Sequence, residues 1–254
     1  MCVCLYAATL ALFAFGTSRI GSVTGDRIQI FETVFEAGRV QWRFAGYSDF
    51  SLPPGHRSVF TFLHREYPHF RIAVEFDDRV QFYEFGGERW HFLEEMTFTL
   101  PDGSRPVFVS PFFNFPLLHI AAVRHDHVHI YTFDNGRWHF AEGTEFELAN
   151  EYSSVSGGDG LWGEHCPMIV TVLNNRVQFY RFSRHDLANL KQRESPGWHK
   201  YPEWFDLVLP YGYDSLFFIA NNLGVVHGNH VYFYMFHGGV WWYNPDGPDF
   251  ILTR

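Results

Sequence analysis

The chain has 254 residues, of which 46% are hydrophobic and 19% charged, with 22 glycines and 13 prolines. Such a chain can bury a sizeable core, which excludes a disordered or fibrous protein. Aromatic residues make up 20% of it, a share that favours β-strands and argues against an all-helical bundle. The net charge of −9 would repel a phosphate backbone, so we expect no nucleic-acid partner. Three cysteines do not form an even disulfide framework.

The first predicted element lies in the uncharged stretch from Cys2 to Gly16. The stretch is apolar enough to suggest a secretory signal, but no basic residue precedes it. It is also too short to cross a bilayer, so we expect no membrane span. We expect it to form an inner strand of the first repeat. The compartment stays open, with a cytoplasmic or non-classically exported protein favoured over a secreted one.

A short pattern recurs five times along the chain, and it organises the whole sequence. Each copy has Asp or Asn, then Arg or His, a β-branched residue, Gln, His or Tyr, then Ile or Phe, and finally an aromatic residue. The five β-branched anchors are Ile28, Val80, Val128, Val177 and Val231. Their spacing of about fifty residues is typical of proteins built from repeated structural units.

Each anchor is followed by a turn signal and then by two aromatic elements. A glycine-containing turn precedes each of Trp42, Trp90, Trp138, Trp198 and Trp241. A Phe-x-Leu element follows, as Phe50/Leu52, Phe98/Leu100, Phe146/Leu148, Phe205/Leu207 and Phe250/Leu252. Turns of this kind between strand-like runs predict hairpins, and two further strand-like runs complete each repeat.

The predicted strands of a repeat are apolar on both faces, as Val80 to Phe85 illustrates. A sheet that packs between two neighbouring sheets has this pattern. At this point the sequence resembles the β-propeller proteins, specifically a five-bladed one. The resemblance implies an all-β, single-domain propeller with about 50 residues and four antiparallel strands per blade. The predicted repeats are 1–52, 53–100, 101–148, 149–208 and 209–254.

The resemblance is to the architecture, because the chain lacks the motifs of Trp-Asp-repeat, kelch and sialidase propellers. In size it is similar to five-bladed lectins of the tachylectin type, without their motifs. Function must therefore come from individual sites.

The recurring tryptophans have two interpretations, blade-to-blade packing or a set of equivalent sugar-stacking platforms. Packing is favoured, because an aromatic residue two positions later in most repeats makes one apolar strand face. The residue in between points the other way and is polar or aromatic in every repeat. We predict ligand contacts from this column at His91, His139, His199 and Trp242.

A glycine-rich loop after the fourth inner strand supplies a second candidate site. It carries Asp159, Trp162 and His165, and a flexible loop with a ring, a carboxylate and an imidazole can grip a ligand. The alternative is a long connection without a function. A basic insertion from Ser183 to Pro196 is a further candidate contact loop.

Metal and catalytic sites find less support. His125, His127 and His129 have a spacing that some zinc sites use, but the repeat places Arg79 and Gln81 at the last two positions in the second copy. We predict no metal, no cofactor and no catalytic residue. Glycoside hydrolysis needs paired carboxylates, and the predicted inner-strand runs contain none, although Glu66, Glu151 and Asp214 flank them.

Two functions remain in competition. A lectin with repeated aromatic sites would bind glycans with avidity. A protein-interaction propeller would instead use the irregular loops, and a glycosidase is a minor alternative. We favour the lectin, with a glycan or a protein as ligand and the oligomeric state left open. The discriminating feature is whether equivalent residues are exposed in most blades.

Overall fold

The five repeats of the sequence form five antiparallel sheets in the computed structural model of the chain. The structure describes residues 12–14, 19–36, 39–64, 67–86, 89–111, 118–149, 151–159, 167–183, 197–209, 212–219, 222–237, 240–243 and 250–251. Within each sheet, four consecutive strands pair in chain order, so each predicted repeat supplies one meander.

The strands of the first two sheets are β1 (Leu12–Ala14), β2 (Arg19–Thr24), β3 (Arg27–Glu36), β4 (Arg39–Ser51), β5 (Val59–His64), β6 (Tyr67–Glu75), β7 (Arg79–Gly86), β8 (Arg89–Phe92) and β9 (Phe98–Thr99). Those of the third and fourth are β10 (Ser104–Pro111), β11 (Leu118–Arg124), β12 (His127–Asp134), β13 (Arg137–Phe140), β14 (Phe146–Glu147), β15 (Ser154–Asp159), β16 (Pro167–Leu173), β17 (Arg176–Ser183), β18 (Gly197–Lys200) and β19 (Leu207–Val208). The fifth has β20 (Ser215–Ile219), β21 (Asn222–His227), β22 (His230–His237), β23 (Val240–Tyr243) and β24 (Phe250–Ile251). The described residues also form short 3-10 helices at Glu94–Met96 and Glu203–Phe205.

The first strands of the five sheets close a ring. β1 contacts β5, β5 contacts β10, β10 contacts β15, β15 contacts β20, and β20 contacts β1. The chain is a five-bladed β-propeller. β1 lies within the uncharged N-terminal stretch and is the inner strand of blade 1, as expected.

The turn residues of the repeat explain the hairpins. Between the second and third strands of blade 4, Asn174 and Asn175 adopt φ of 51° and 60°. The predicted Asn135-Gly136 turn, with φ of 50° and 77°, joins β12 to β13. Left-handed backbone at both central residues matches the twist of antiparallel strands, and Asn and Gly tolerate it.

The core lies between the blades. The anchors Val80, Val128, Val177 and Val231 are fully buried, and so is Ile28. Phe82 and Phe179 share the strand face of their anchors and are also fully buried. These side chains pack against residues of the following blade, since the cluster around Val80 and Phe82 also contains Ile120. Burial on both faces confirms the pattern of the sequence.

The fourth Phe-x-Leu element lies two residues later than the prediction. β19 places Leu207 opposite Val177, where Phe98 lies opposite Val80. The Leu209 amide donates to the Asn175 carbonyl, as the Leu100 amide donates to Asp78. Phe205 belongs instead to the 3-10 helix, in the place of Met96. The equivalent pair is therefore Leu207/Leu209, and Phe205/Leu207 was the wrong alignment.

Candidate functional site

The recurring tryptophans join neighbouring blades. In three blades the indole Nε1 donates to a backbone carbonyl of the preceding blade: Trp138 to Met96 at 2.9 Å, Trp198 to Thr144 at 2.8 Å and Trp241 to Phe205 at 2.6 Å. The three tryptophans are half-buried. The indole has only one N–H group, and here it donates to the carbonyl of a buried residue. Packing between blades therefore fixes the position of these tryptophans.

Ring contacts reinforce this joint. Trp138 stacks on Phe82 of the preceding blade with centroids 5.7 Å apart, and Trp241 stacks on Phe179 at 5.1 Å. Offset stacking adds to the free energy gained from burial. The packing interpretation of this column is therefore the one that the geometry supports.

Two residues after each repeated tryptophan, on the same strand face, lies an exposed side chain. It is an aromatic ring in four of the five blades and a lysine in blade 4. The relative exposures are 46% for Phe44, 45% for Phe92, 39% for Phe140 and 42% for Tyr243. Exposed rings at one repeated position are unusual on a protein surface, where large apolar side chains are normally scattered.

Each exposed ring rests on an aromatic residue of the third strand. The centroid distances are 5.9 Å for Phe31 and Phe44, 5.4 Å for Tyr83 and Phe92, 5.8 Å for Tyr131 and Phe140, and 5.7 Å for Tyr234 and Tyr243. The register pairs these residues directly across the two strands. The supporting tyrosine also contacts the preceding blade, as Tyr83 does with Phe50 at 4.8 Å.

Polar groups lie beside these ring pairs. The Tyr83 hydroxyl donates to Gln81 Oε1 at 3.0 Å, and the Tyr180 hydroxyl donates to Gln178 Oε1 at the same distance. Burial raises the pKa of the Tyr83 and Tyr180 hydroxyls, so both stay protonated donors at neutral pH. In blade 3 the equivalent of Gln81 is His129, whose pKa is lowered by burial and then by the charge of His127.

We call each set an outer site and number it by blade. Outer site 2 consists of Gln81, Tyr83 and Phe92, and outer site 3 of His129, Tyr131 and Phe140. Outer site 4 contains Gln178, Tyr180 and Lys200, outer site 5 contains Tyr232, Tyr234 and Tyr243, and outer site 1 contains Gln29, Phe31 and Phe44. Each offers an exposed side chain, and outer sites 2 to 5 have hydrogen-bonding groups beside it, whereas Gln29 of outer site 1 is 3% exposed. Outer site 4 is the one that lacks the exposed ring.

The ligand residues expected from the sequence lie on the opposite face of the same strands. His91 and Trp242 are exposed, Trp242 at 56%, while His139 and His199 are half-buried. Their cross-strand neighbours differ from blade to blade, being Glu84, Met235, Thr132 and Arg181 respectively. A role of this column in ligand binding stays a prediction.

The predicted loop site lies mostly outside the described residues. β15 ends at Asp159, whereas Trp162 and His165 fall in 160–166. The basic insertion 184–196 is likewise outside the described part. Ligand or partner contact by either loop stays a prediction.

The inner strands bear on catalysis. β15 runs as far as Asp159, so this carboxylate is the one acidic residue in the five inner strands that the structure describes. Phe108 and Phe217, both on inner strands, are 3% and 8% exposed. Glu151 and Asp214 are exposed, and Asp214 accepts a hydrogen bond from the Gly228 amide at 2.6 Å. Glu66 lies outside the described residues.

The alternating histidines do not share one strand face. His125 lies in the turn before β12 with a φ of 57°, and only His127 and His129 lie on the strand. His127 Nδ1 pairs with Asp126 at 2.6 Å. Among the described residues, no three His, Cys, Asp or Glu side chains gather as metal ligands would. The described residues also include no helix that could span a membrane.

The exposed ring column was missed by sequence reasoning. Strand periodicity predicts that Phe92 and Phe140 share the packed face of the tryptophans, since residues two apart on a strand share a face. The signal that could have corrected this is Lys200, the blade 4 residue of the same column. A lysine is rarely buried without a partner, so its column was the exposed one.

Several solved structures are similar to this chain. AofleA from Arthrobotrys oligospora is 12% identical and superimposes with a TM-score of 0.54 over 95% of this chain and 74% of its own. The β-propeller domain of Cps50 (Swd1) from Myceliophteria thermophila is 11% identical, with a TM-score of 0.44 over 92% and 71% of the two chains. A candidate 6-phosphogluconolactonase from Bacteroides uniformis is 9% identical, with a TM-score of 0.48 over 94% and 70%.

The similarity extends to the fold alone. At 12% identity, AofleA shares the arrangement of sheets and says nothing about the ligand of this chain. No protein-family model matches the sequence, and no curated protein is similar to it.

Proposed function

We propose that the protein is a non-enzymatic carbohydrate-binding propeller that uses its repeated outer sites. The observation that carries the proposal is the exposed ring at one equivalent position in four blades, between 39% and 46% exposed. Equivalent exposure in most blades is what a lectin with repeated sites requires. A propeller that binds one protein partner needs no such repetition.

The chemistry of an outer site suits a sugar. The apolar C–H face of a pyranose stacks on an aromatic side chain, while its hydroxyl groups hydrogen-bond to polar neighbours. Outer site 2 offers Phe92 as the platform and the Tyr83 and Gln81 pair as the polar neighbours. Because Phe92 already rests on Tyr83, little side-chain entropy is lost when a ligand orders it.

Several weak sites on one chain would raise the affinity for branched or clustered glycans. Four ring-bearing outer sites around one ring of blades can engage several sugars at once, provided that the glycan spans them. We infer no hydrolysis, since the described inner strands offer one acidic residue where glycosidases use a pair.

The test is a glycan-array screen of the full chain, followed by calorimetry with the best glycan. Phe92→Ala and Phe140→Ala are expected to weaken binding about tenfold at their own sites, because each removes one stacking platform. The matched controls are His91→Ala and His139→Ala, which change the neighbouring residue on the other strand face and leave the platform in place. No binding across a broad array, or loss with the histidine variants alone, would contradict the proposed site.

A second function is favoured by one feature of blade 5. The strand face opposite Tyr243 carries Met235, Val240 and Trp242, which are 43%, 47% and 56% exposed. The corresponding positions in blade 2 are Glu84, Arg89 and His91, all polar. An apolar face on a single blade is typical of a protein-interaction surface. Capture of a protein partner that is lost with Trp242→Ala, together with a blank glycan array, would favour this function.

A further inference from the structure

Outer site 4 departs from the others in its charge. Lys200 occupies the place of the exposed ring, and Arg176 occupies the first position of the third strand in the same blade. Asp206 follows the 3-10 helix Glu203–Phe205 beside them. Arg27 and Arg79 hold the position of Arg176 in blades 1 and 2, so Lys200 is the cation that distinguishes outer site 4 in a protein with a net charge of −9.

The two cations converge on one oxygen. Lys200 Nζ lies 3.7 Å and Arg176 Nη1 lies 3.8 Å from Asp206 Oδ2. The Asp206 side chain is 1% exposed, whereas those of Lys200 and Arg176 are 35% and 49% exposed. The carboxylate is therefore buried, while both cations reach the solvent.

The carboxylate does not saturate these donors. Both Asp206 oxygens are buried without a hydrogen bond, and contacts of 3.7–3.8 Å are longer than a hydrogen bond. Burial raises the pKa of the Asp206 carboxyl, an effect that Lys200 and Arg176 oppose and that the nearby Glu203 reinforces. The ammonium and guanidinium N–H groups thus keep their capacity for a second anion on the solvent side.

The rest of outer site 4 matches the ring-bearing sites. Tyr180 contacts Phe146 of blade 3 with centroids 4.6 Å apart, and its hydroxyl donates to Gln178. In outer site 2 the same contacts are made by Tyr83 with Phe50 and Gln81. The polar part of the site is retained, and a charged partner replaces the stacking platform.

We propose that outer site 4 binds an anionic sugar residue, one that carries a carboxylate or a sulfate group, through Arg176 and Lys200. The inference rests on the proposed carbohydrate-binding function and adds the ligand class of one site. Guanidinium and ammonium groups form charge-assisted hydrogen bonds with both anions. The Tyr180 and Gln178 pair lies beside them for the sugar hydroxyls.

The test compares methyl glucuronide, glucose 6-sulfate and neutral methyl glucoside by calorimetry on the full chain. Arg176→Gln and Lys200→Gln are each expected to weaken binding of the two anionic sugars about fivefold, with little effect on the neutral one. Arg79→Gln is the matched control, since Arg79 has the same position in blade 2 and is held by Asp78 at 2.7 Å. It should leave all three affinities unchanged.

Two further variants separate the cations from the carboxylate. Asp206→Asn is expected to tighten binding of the anionic sugars, because it removes the competing charge beside the cations. Weaker binding would show that Asp206 itself holds the ligand and would overturn the proposal. Lys200→Phe should weaken the anionic sugars and introduce the ring of the other outer sites. Thermal melting of each variant shows whether it is folded.

The outcomes separate this inference from the proposed function. If neutral glycans bind through Phe92 and Phe140 but the anionic sugars gain nothing from Arg176 and Lys200, the inference fails and the proposed function stands. If no sugar binds, the proposed function fails and the inference with it. Inorganic sulfate that competes as strongly as glucose 6-sulfate would overturn the sugar part of the inference.

Discussion

Two aromatic columns lie on one face of the outer strands and behave in opposite ways. In blade 3, Trp138 is half-buried and donates to the Met96 carbonyl of blade 2, whereas Phe140, two residues later, is 39% exposed. In blade 5 the same contrast separates Trp241 from Tyr243. Strand periodicity makes the columns equivalent, so the neighbouring blade must make them different.

The two columns differ because the preceding blade contacts the tryptophan and not the exposed ring. Trp138 meets Phe82 and Phe98 of blade 2, with centroids 5.7 and 5.1 Å away. Phe140 contacts rings of its own blade, namely Tyr131 and His129. The first column therefore contributes to stability, and the second is available to a ligand.

The largest expected effect breaks the inter-blade joint. Trp138→Ala removes a stacked ring and leaves the Met96 carbonyl without its donor, so we expect a loss of about 3–5 kcal/mol in the free energy of unfolding. Phe140→Ala, the matched change in the exposed column, should cost less than about 1 kcal/mol because little burial is lost. Urea unfolding of both variants checks this, and similar losses would remove the distinction.

A smaller effect on stability is expected at the buried carboxyl of Glu75. Glu75, at the end of β6, is 7% exposed, and burial raises the pKa of its carboxyl above the ordinary value despite Ser58 and Arg57. A raised pKa means that the folded protein binds the proton more tightly, so stability falls as the pH rises through that pKa. Glu75→Gln lacks this loss.

The stability of Glu75→Gln relative to the natural chain should therefore increase between pH 4 and pH 8. The urea midpoints of the two proteins across that range measure it. A difference that stays constant, or that shrinks as the pH rises, would contradict the assigned cause. Glu84→Gln is a useful comparison, because Glu84 lies on the same face of the sheet as Glu75 and is paired with Arg71 at 2.6 Å.

The sequence was sufficient for the fold because the repeat encodes it redundantly. The buried anchors, the Asn and Gly turns and the tryptophans recur with one period, so an error in one copy does not move a blade. The error at Phe205 shows the limit. A 3-10 helix at Glu203–Phe205 places a phenylalanine two residues before the true strand element, and sequence spacing could not distinguish the two.

The outer sites were not predictable in the same way. Exposure of Phe92 depends on how far blade 1 extends over blade 2, which is a property of the assembled ring. Arg176 and Lys200 converge on Asp206, although the three residues lie in different parts of one repeat. The register of that repeat also differs from the prediction. Both features become visible only when the strands are paired.

The exposed rings, rather than the tryptophans or the column of His91 and His139, are the proposed ligand platforms. The most direct measurement is the number of neutral sugar molecules bound per chain, from calorimetry with the best glycan. We expect more than one and at most four for the natural chain, one fewer for Phe92→Ala or Phe140→Ala, and no change for His91→Ala or His139→Ala. A single site, or a number unaffected by loss of the rings, would contradict this expectation.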